Sequence, residues 1–287
     1  TSMWNMFYGA TIFNQSVSNF DTSKVTSMWN MFYSAINFNQ DLRNWTVRST
    51  CIFTDMFDWA NNMNNTYGTD PNFGDTPNLQ FWDNIVIENT ITEIAADAFK
   101  DWISLKTVTF ESTSILTTIG TNAFYNTAIS ILDIPASVDS LGSRFIESNS
   151  LTSITVADGN TKYKSIDGVL YELSGTDPNK FPNKLFKYPQ AKTNLTFVVP
   201  NEVTDIISHS CRDITNLETV IFNYGSQIIT IAQSAFKASF QITKVYFYHN
   251  ISNNIPTIYV EDDYINNVNK NFPNANDTVY YTGILSD

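Results

Sequence analysis

Residues 1–8 read TSMWNMFY, and residues 26–33 read TSMWNMFY again. The two copies stay in register afterwards, through Ala10 and Ala35, Phe-Asn-Gln at 13–15 and 38–40, and Asn19 and Asn44. A decayed third copy opens near Cys51 and keeps Met56-Phe57, Ala60 and Met63-Asn64. Self-similarity at a fixed period of about 25 residues restricts the fold more than composition does. One such segment has an apolar edge that it cannot bury alone, so copies must stack and share a core. Within a copy, Met28, Met31, Phe32 and Ala35 fall at i, i+3, i+4 and i+7, the spacing of one face of a short helix. Leu42 and Trp45 follow on an extended return.

A second period begins near Ile85. Counting from Ile94, apolar residues fall at Phe99, Leu105, Val108 and Phe110; from Ile206, the same offsets hold Cys211, Leu217, Val220 and Phe222. Ile231 repeats the pattern with Phe236, Ile242, Val245 and Phe247, and copies one residue shorter start at Ile119 and Leu141. The end of each unit alternates as a half-buried strand does, and the stretch before it has helix-like or tight-turn spacing. The expected fold class is therefore an α/β repeat solenoid of leucine-rich-repeat type. Each coil would carry one short strand plus a short helix or 3-10 turn.

The period breaks in three places. Residues 66–83 are rich in Gly, Pro, Asn and Asp and read as a junction loop. Asp70, Asn72 and Asp75 invite a calcium reading, but the Gly and Glu of an EF-hand loop are missing at the sixth and twelfth positions, so turn formation is the plainer reading. Between about 160 and 190, GVLYE and KLFKYP flank a polar loop and predict a hairpin carrying Lys180, Lys184 and Lys187 as a basic spot. Such lysines protect a strand edge or meet an acidic partner. After residue 260, Tyr264, Val268 and Phe272 are spaced for a short helix, so 261–287 reads as a C-terminal cap. No cap precedes Thr1, and further coils upstream are expected.

With 28 Asp+Glu against 16 Lys+Arg and a net charge of −12, the chain lacks the concentrated cations that nucleic acid requires. No run suits direct membrane insertion. Two cysteines and two histidines form no metal-ligand spacing. Cys211 occupies a core column and Cys51 lies several coils earlier, so two free thiols are expected, and pairing Cys211 with His209 for catalysis has no geometric support. No phosphate loop or nucleophile motif occurs. No catalytic residue, cofactor or metal is assigned. The Asn14, Asn39 and Asn64 series reads as a ladder that satisfies turn backbones.

Two resemblances rest on these residues. Residues 1–65, with MF-x-x-A-x-x-FNQ phrasing, resemble the roughly 25-residue bacterial surface protein repeat. Residues 84–260 resemble the BspA-like leucine-rich repeat, through IPASVDSL at 134–141, VPNEVTDI at 199–206 and ITEIAADAF at 91–99. The resemblance implies a non-enzymatic solenoid, extracellular or on a cell or particle surface, that adheres to or recognises another protein. A structural role in a cell-surface layer or viral particle is one alternative. A glycan-binding module is another, with the ladder Trp4/Trp29 as its platform. On the strand face, Ile221, Tyr246 and Tyr248 are the candidate contacts for a protein partner.

Overall fold

The structure is a computed structural model that describes residues 1–174, 181–223, 225–249 and 277–282. Its strands, in chain order, are β1 Thr46–Arg48, β2 Asn84–Ile87, β3 Glu93–Ile94, β4 Thr107–Phe110, β5 Thr118–Ile119, β6 Phe124–Tyr125 and β7 Ile131–Ile134. There follow β8 Ser140–Leu141, β9 Ile146–Glu147, β10 Ser153–Val156, β11 Tyr163–Ile166, β12 Val169–Ser174 and β13 Phe181–Lys187. The last are β14 Thr196–Val199, β15 Asp205–Ile206, β16 Thr219–Phe222, β17 Thr230–Ile231, β18 Lys244–His249 and β19 Asp277–Thr282. The chain divides into two compact units. One comprises Thr1–Thr92, Asp101–Ile115 and Thr127–Ile129; the other comprises Glu93–Lys100, Leu116–Asn126 and Ser130–Asp287.

In the first unit the coils stack so that equivalent residues meet. Ser2, Ser27 and Ile52 form successive parallel bridges, and β1, β2 and β4 pair in parallel with Val47 opposite Ile85 and Ile85 opposite Val108. Repetition of the sequence makes repetition of the packing. Phe7, Phe32 and Phe57 stack ring on ring at 5.2 and 5.9 Å, and Phe20, Trp45 and Trp82 stack at 6.4 and 6.2 Å. Trp82 thus continues the column across the interrupted third coil. Met28, Met31, Phe32, Ala35 and Phe38 are fully buried. The Asn14 side chain accepts from the Asn39 N–H at 2.8 Å and from the Gln40 amide at 2.9 Å, a polar rung linking neighbouring coils. Around Asp70, the carboxylate accepts from the Asn72 N–H at 2.8 Å, a turn contact.

The expected helix or 3-10 turn in each coil is corrected by the structure. Among the described residues, helical elements are confined to α1, Asn61–Tyr67, and the 3-10 turn Leu79–Phe81. The backbone explains why. The N–H groups of Met3, Asn5, Phe7 and Gly9 donate to carbonyls of the next coil, at Ser27, Trp29, Met31 and Tyr33. Those of Met6, Tyr8 and Ala10 turn back three residues, to Met3, Asn5 and Phe7. Alternate donors bond along the stack, so no continuous i→i−4 ladder can form. The αL region is entered at Asn5 and Gly9, at Asn30 and Ser34, and at Asp55 and Trp59, each pair four residues apart.

The second unit uses the same turn. Asn122, Phe124 and Asn126 donate to Ser143, Phe145 and Glu147; His209, Cys211 and Asp213 donate to Ser234, Ala235 and Lys237. Positive φ recurs at Asn122/Asn126, His209/Asp213 and Ser234/Ala238. Coils approach closely at Gly120, where an added Cβ would lie 2.4 Å from the Ala96 nitrogen. Three parallel ladders result: β3-β5-β8, β6-β9 and β7-β10. The segment expected to form a hairpin contains β12 and β13 paired antiparallel, with β11 antiparallel to β12 through the Asp167-Gly168 turn. β13 also pairs in parallel with β15, so this strand supplies a rung of the β15-β17 column. β14, β16, β18 and β19 form a parallel sheet. The helix expected at 261–272 lies outside the described residues.

Candidate binding surface

The sheet β14-β16-β18 is built from the segments TFVV, TVIF and the start of KVYFYH. Strand side chains alternate between faces, and burial reports which face is inward: Phe197, Val199, Val220, Phe222 and Val245 are all at most 8% exposed. The alternate positions face outward. Register places Val198 beside Ile221 and Ile221 beside Tyr246, in a row with spacing of about 4.8 Å between strands. Val198 is 47% exposed, and Ile221 and Tyr246 are half-buried. Thr196, Thr219 and Lys244 form the neighbouring outward row. An apolar row flanked by a polar one can seat an extended or irregular peptide surface. Val198 escapes a reading based on the later repeats, because its strand follows the inserted segment, yet its place in TFVV carries the same alternation. Tyr248 lies on β18, but its side chain is outside the described residues.

The sheet of β7 and β10 in this unit has a different outward face. Asp133 stands opposite Thr155 and accepts a hydrogen bond from its hydroxyl. The outward face of β7 and β10 thus carries one exposed apolar residue, Ile131, beside a polar pair, whereas the β14-β16-β18 sheet carries an apolar row across three strands.

The Trp4/Trp29 ladder of the first unit exists. The rings are 5.8 Å apart with an interplanar angle of 16°, and the residues are 57% and 44% exposed. Tyr8 and Tyr33 stack beside them at 4.8 Å and 3°. Rings stacked face to face cover each other's π surfaces and turn edges outward.

The three lysines separate. Lys180 lies outside the described residues. Lys184 is partly exposed and pairs with Glu172 at 3.3 Å. Lys187 is buried, which corrects the basic spot expected there: its ammonium lies 3.1 Å from Glu147 Oε2. β13 is a rung of the stack, so its C-terminal end is enclosed instead of projecting. Burial pulls this ammonium below its usual range, and the Glu147 carboxylate opposes that pull.

Both cysteines are free thiols. Cys211 is fully enclosed, and burial pushes its pKa up to about 12, which removes the thiolate needed for nucleophilic attack. His209 Nδ1 lies 2.8 Å from Ser208 Oγ, and the Cys211 sulfur lies 3.8 Å from Ser210 Oγ. Among the described residues, no group of three or more His, Cys, Asp or Glu is arranged to hold a metal, and no helix is long and apolar enough to cross a membrane.

Comparison with known proteins places this geometry. Residues 1–84 match the family described as Mycoplasma protein of unknown function, DUF285. Residues 73–168 and 179–279 match the BspA type Leucine rich repeat region, in six copies. Among solved structures, the pneumococcal vaccine antigen PcpA is similar at 23% identity with a TM-score of 0.53, over 79% of this chain and 56% of that one. A leucine rich cell surface protein from Faecalibacterium prausnitzii is similar at 23% identity with a TM-score of 0.49, over 79% of this chain and 59% of that one. The chain thus spans little more than half the length of either, and the likeness to PcpA concerns the fold. No curated protein sequence matches it. With leucine-rich-repeat matches covering more than half of its length, and with stacked coils joined by parallel strands, this chain belongs to the BspA-type leucine-rich repeat family.

Proposed function

We propose that this chain is a non-enzymatic binding module, exposed on a cell surface or outside the cell, which engages another protein through the outward face of β14-β16-β18. The observation that carries this reading is the register-aligned row Val198–Ile221–Tyr246. Apolar and aromatic side chains held on a preformed sheet bind with little ordering cost, and aromatic anchors dominate protein interfaces. Membership of the repeat family supports a recognition role, and an antigen with the same fold supports an exposed location.

The test uses the intact protein with a photo-crosslinking residue at position 221, compared with one at the exposed Thr107 on β4. Exposed to the producing cells' surroundings, position 221 should yield one defined protein adduct that Val198→Arg and Tyr246→Ala each reduce. Equal labelling at 107 and 221, or labelling unchanged by both variants, would remove the sheet face from the reading.

A further inference from the structure

A cavity of about 270 Å³ opens in the second unit where the end of β13 meets the turn segments before β9 and after β15. Phe145, Ile146, Phe186 and Ile207 give it apolar walls, and Arg144, Glu147, Lys187, Ser208 and His209 give it polar ones. Glu147 is almost fully enclosed. Its Oε2 receives the Lys187 ammonium at 3.1 Å and also the Gln190 amide. Its Oε1 has no hydrogen-bond partner, and the Arg144 Nε, also without one, lies 3.6 Å away. The Arg144 guanidinium rests 4.6 Å from the Tyr125 ring centroid, which fixes its plane.

The polar wall is dominated by donors. Arg144 brings the N–H groups of a guanidinium to it. The His209–Ser208 contact engages Nδ1 and leaves Nε2 for a ligand. Burial lowers the His209 pKa, and the charges of Arg144, Arg212, Lys237 and Lys187 press in the same direction. Arg144 and Lys187 share one carboxylate, Glu147, so the wall keeps an excess of cationic groups in a chain of net charge −12. It would attract an anion. The volume matches a single side chain or small acid, and the apolar walls disfavour a fully hydrated oxyanion. The Glu147 carboxylate repels any anion, and a doubly charged group such as phosphate about twice as strongly as a single carboxylate.

We propose that this cavity is a binding site for one carboxylate carried on a short apolar stem, supplied either as a free small acid or as the C-terminal residue of a polypeptide. The carboxylate sits between Arg144 and His209, and the stem lies against Phe145, Phe186 and Ile207. The site is separate from the sheet face, and neither reading depends on the other.

The chain has two histidines, so the ring signals of His209 can be followed by NMR and assigned with His209→Gln. Titrating 3-phenylpropionate into the intact protein at pH 7 should shift those signals and raise the His209 titration midpoint, because a bound anion favours the imidazolium. The uncharged 3-phenylpropanamide and inorganic sulfate should not. Arg144→Gln should weaken binding roughly tenfold or more, the loss of one charge-assisted contact. Ile207→Trp, which fills the cavity, should abolish it. Thermal midpoints of both variants establish that they fold. Acetyl-Gly-Gly-Phe with a free carboxyl terminus, set against its amide, distinguishes the two sources: binding of the free-ended peptide identifies a polypeptide terminus, and binding of phenylpropionate alone identifies a small acid. If the acid and amide bind equally, if no probe moves the His209 signals, or if Arg144→Gln binds unchanged, the site does not exist.

Discussion

Asn and Asp fill most of the left-handed positions that turn each coil: Asn5, Asn30, Asp55, Asp97, Asp101, Asn122, Asn126 and Asp213 all have φ between 49° and 59°. Their short polar side chains tolerate αL better than most residues do. Ala238 occupies the same slot at φ 61° with no such compensation. A left-handed alanine costs about 1–2 kcal/mol, and glycine gives back part of that gain through the freedom of the unfolded chain. Ala238→Gly should therefore raise stability by about 0.5–1 kcal/mol, read as a higher denaturant midpoint at unchanged slope. Ala235→Gly, at a fully buried position three residues earlier, is the control and should lower it. A loss of stability in Ala238→Gly would mean that the methyl group packs usefully.

At the scale of elements, the strands of the first unit end in a shared ionic cluster. Arg48 on β1 lies 3.2 Å from Glu88 just beyond β2 and also pairs with Glu111 just beyond β4. Burial alone would raise the Glu88 pKa, but hydrogen bonds from Ser49 and Thr50, at 2.5 and 2.8 Å to their hydroxyls, outweigh it and leave the carboxyl below its usual value of 4.5. A carboxylate depressed in the folded state contributes stability that is complete above the unfolded pKa and is lost as pH falls through the folded one. The first unit should weaken below about pH 4.5. Glu88→Gln should cost about 1–3 kcal/mol at pH 7 and flatten the acid limb of the stability profile. An unchanged acid limb in urea titrations from pH 3 to 7 would show that another group controls it.

The same scale shows what the sequence makes legible. The columns were readable because alternation and period name the inward positions directly: Val220, Val245, Ile154 and Leu132 are all buried. The turn was misread because Met28, Met31, Phe32 and Ala35 share one face in a helix and in this chain of turns alike. What separates the two is whether the Met28 and Phe32 N–H groups bond within the coil or to Ile52 and Met56 of the next. That is a non-local fact. Asn or Asp recurring at i and i+4, as in Asn122/Asn126 and Asp97/Asp101, was the available signal for αL turns. The burial of Lys187 was hidden for a similar reason: its partner Glu147 is 40 residues away and meets it only because β13 joins the stack. Ile221 and Tyr246 were recoverable from alternation, whereas the cavity walls come from three segments that no local pattern connects.

At the scale of the molecule, stacking makes coils interchangeable wherever their registers agree. Coil one already presents Phe7, Phe13 and Phe20 in the columns that Phe32, Phe38 and Trp45 occupy in coil two. Ser27 bridges both Ser2 and Ile52. Deleting residues 26–50 would therefore join Val25 to Cys51 as Thr50 was joined, and place Phe7 against Phe57. Asn14 would lose its rung, because the Asn64 N–H that takes the place of Asn39 bonds to Ala60 at the start of α1. Repeat stability behaves as a sum of coil and neighbour-interface contributions, so the deletion should leave a cooperatively folding protein. Its denaturant slope should fall in proportion to the surface removed, and its stability should drop by the contribution of one interface together with that of the Arg48, Ser49 and Thr50 contacts to Glu88 and Glu111. Deleting 26–38 removes half a coil, joins Val25 to Asn39 and puts coil one out of phase with the coils that follow. Trp45 and Trp82 keep their spacing, but Phe20 could no longer align with Trp45, so that variant should lose the contribution of coil one and leave Trp45 more exposed. Comparable fluorescence and melting for the two deletions would mean that the first unit is held together by something other than register-matched stacking.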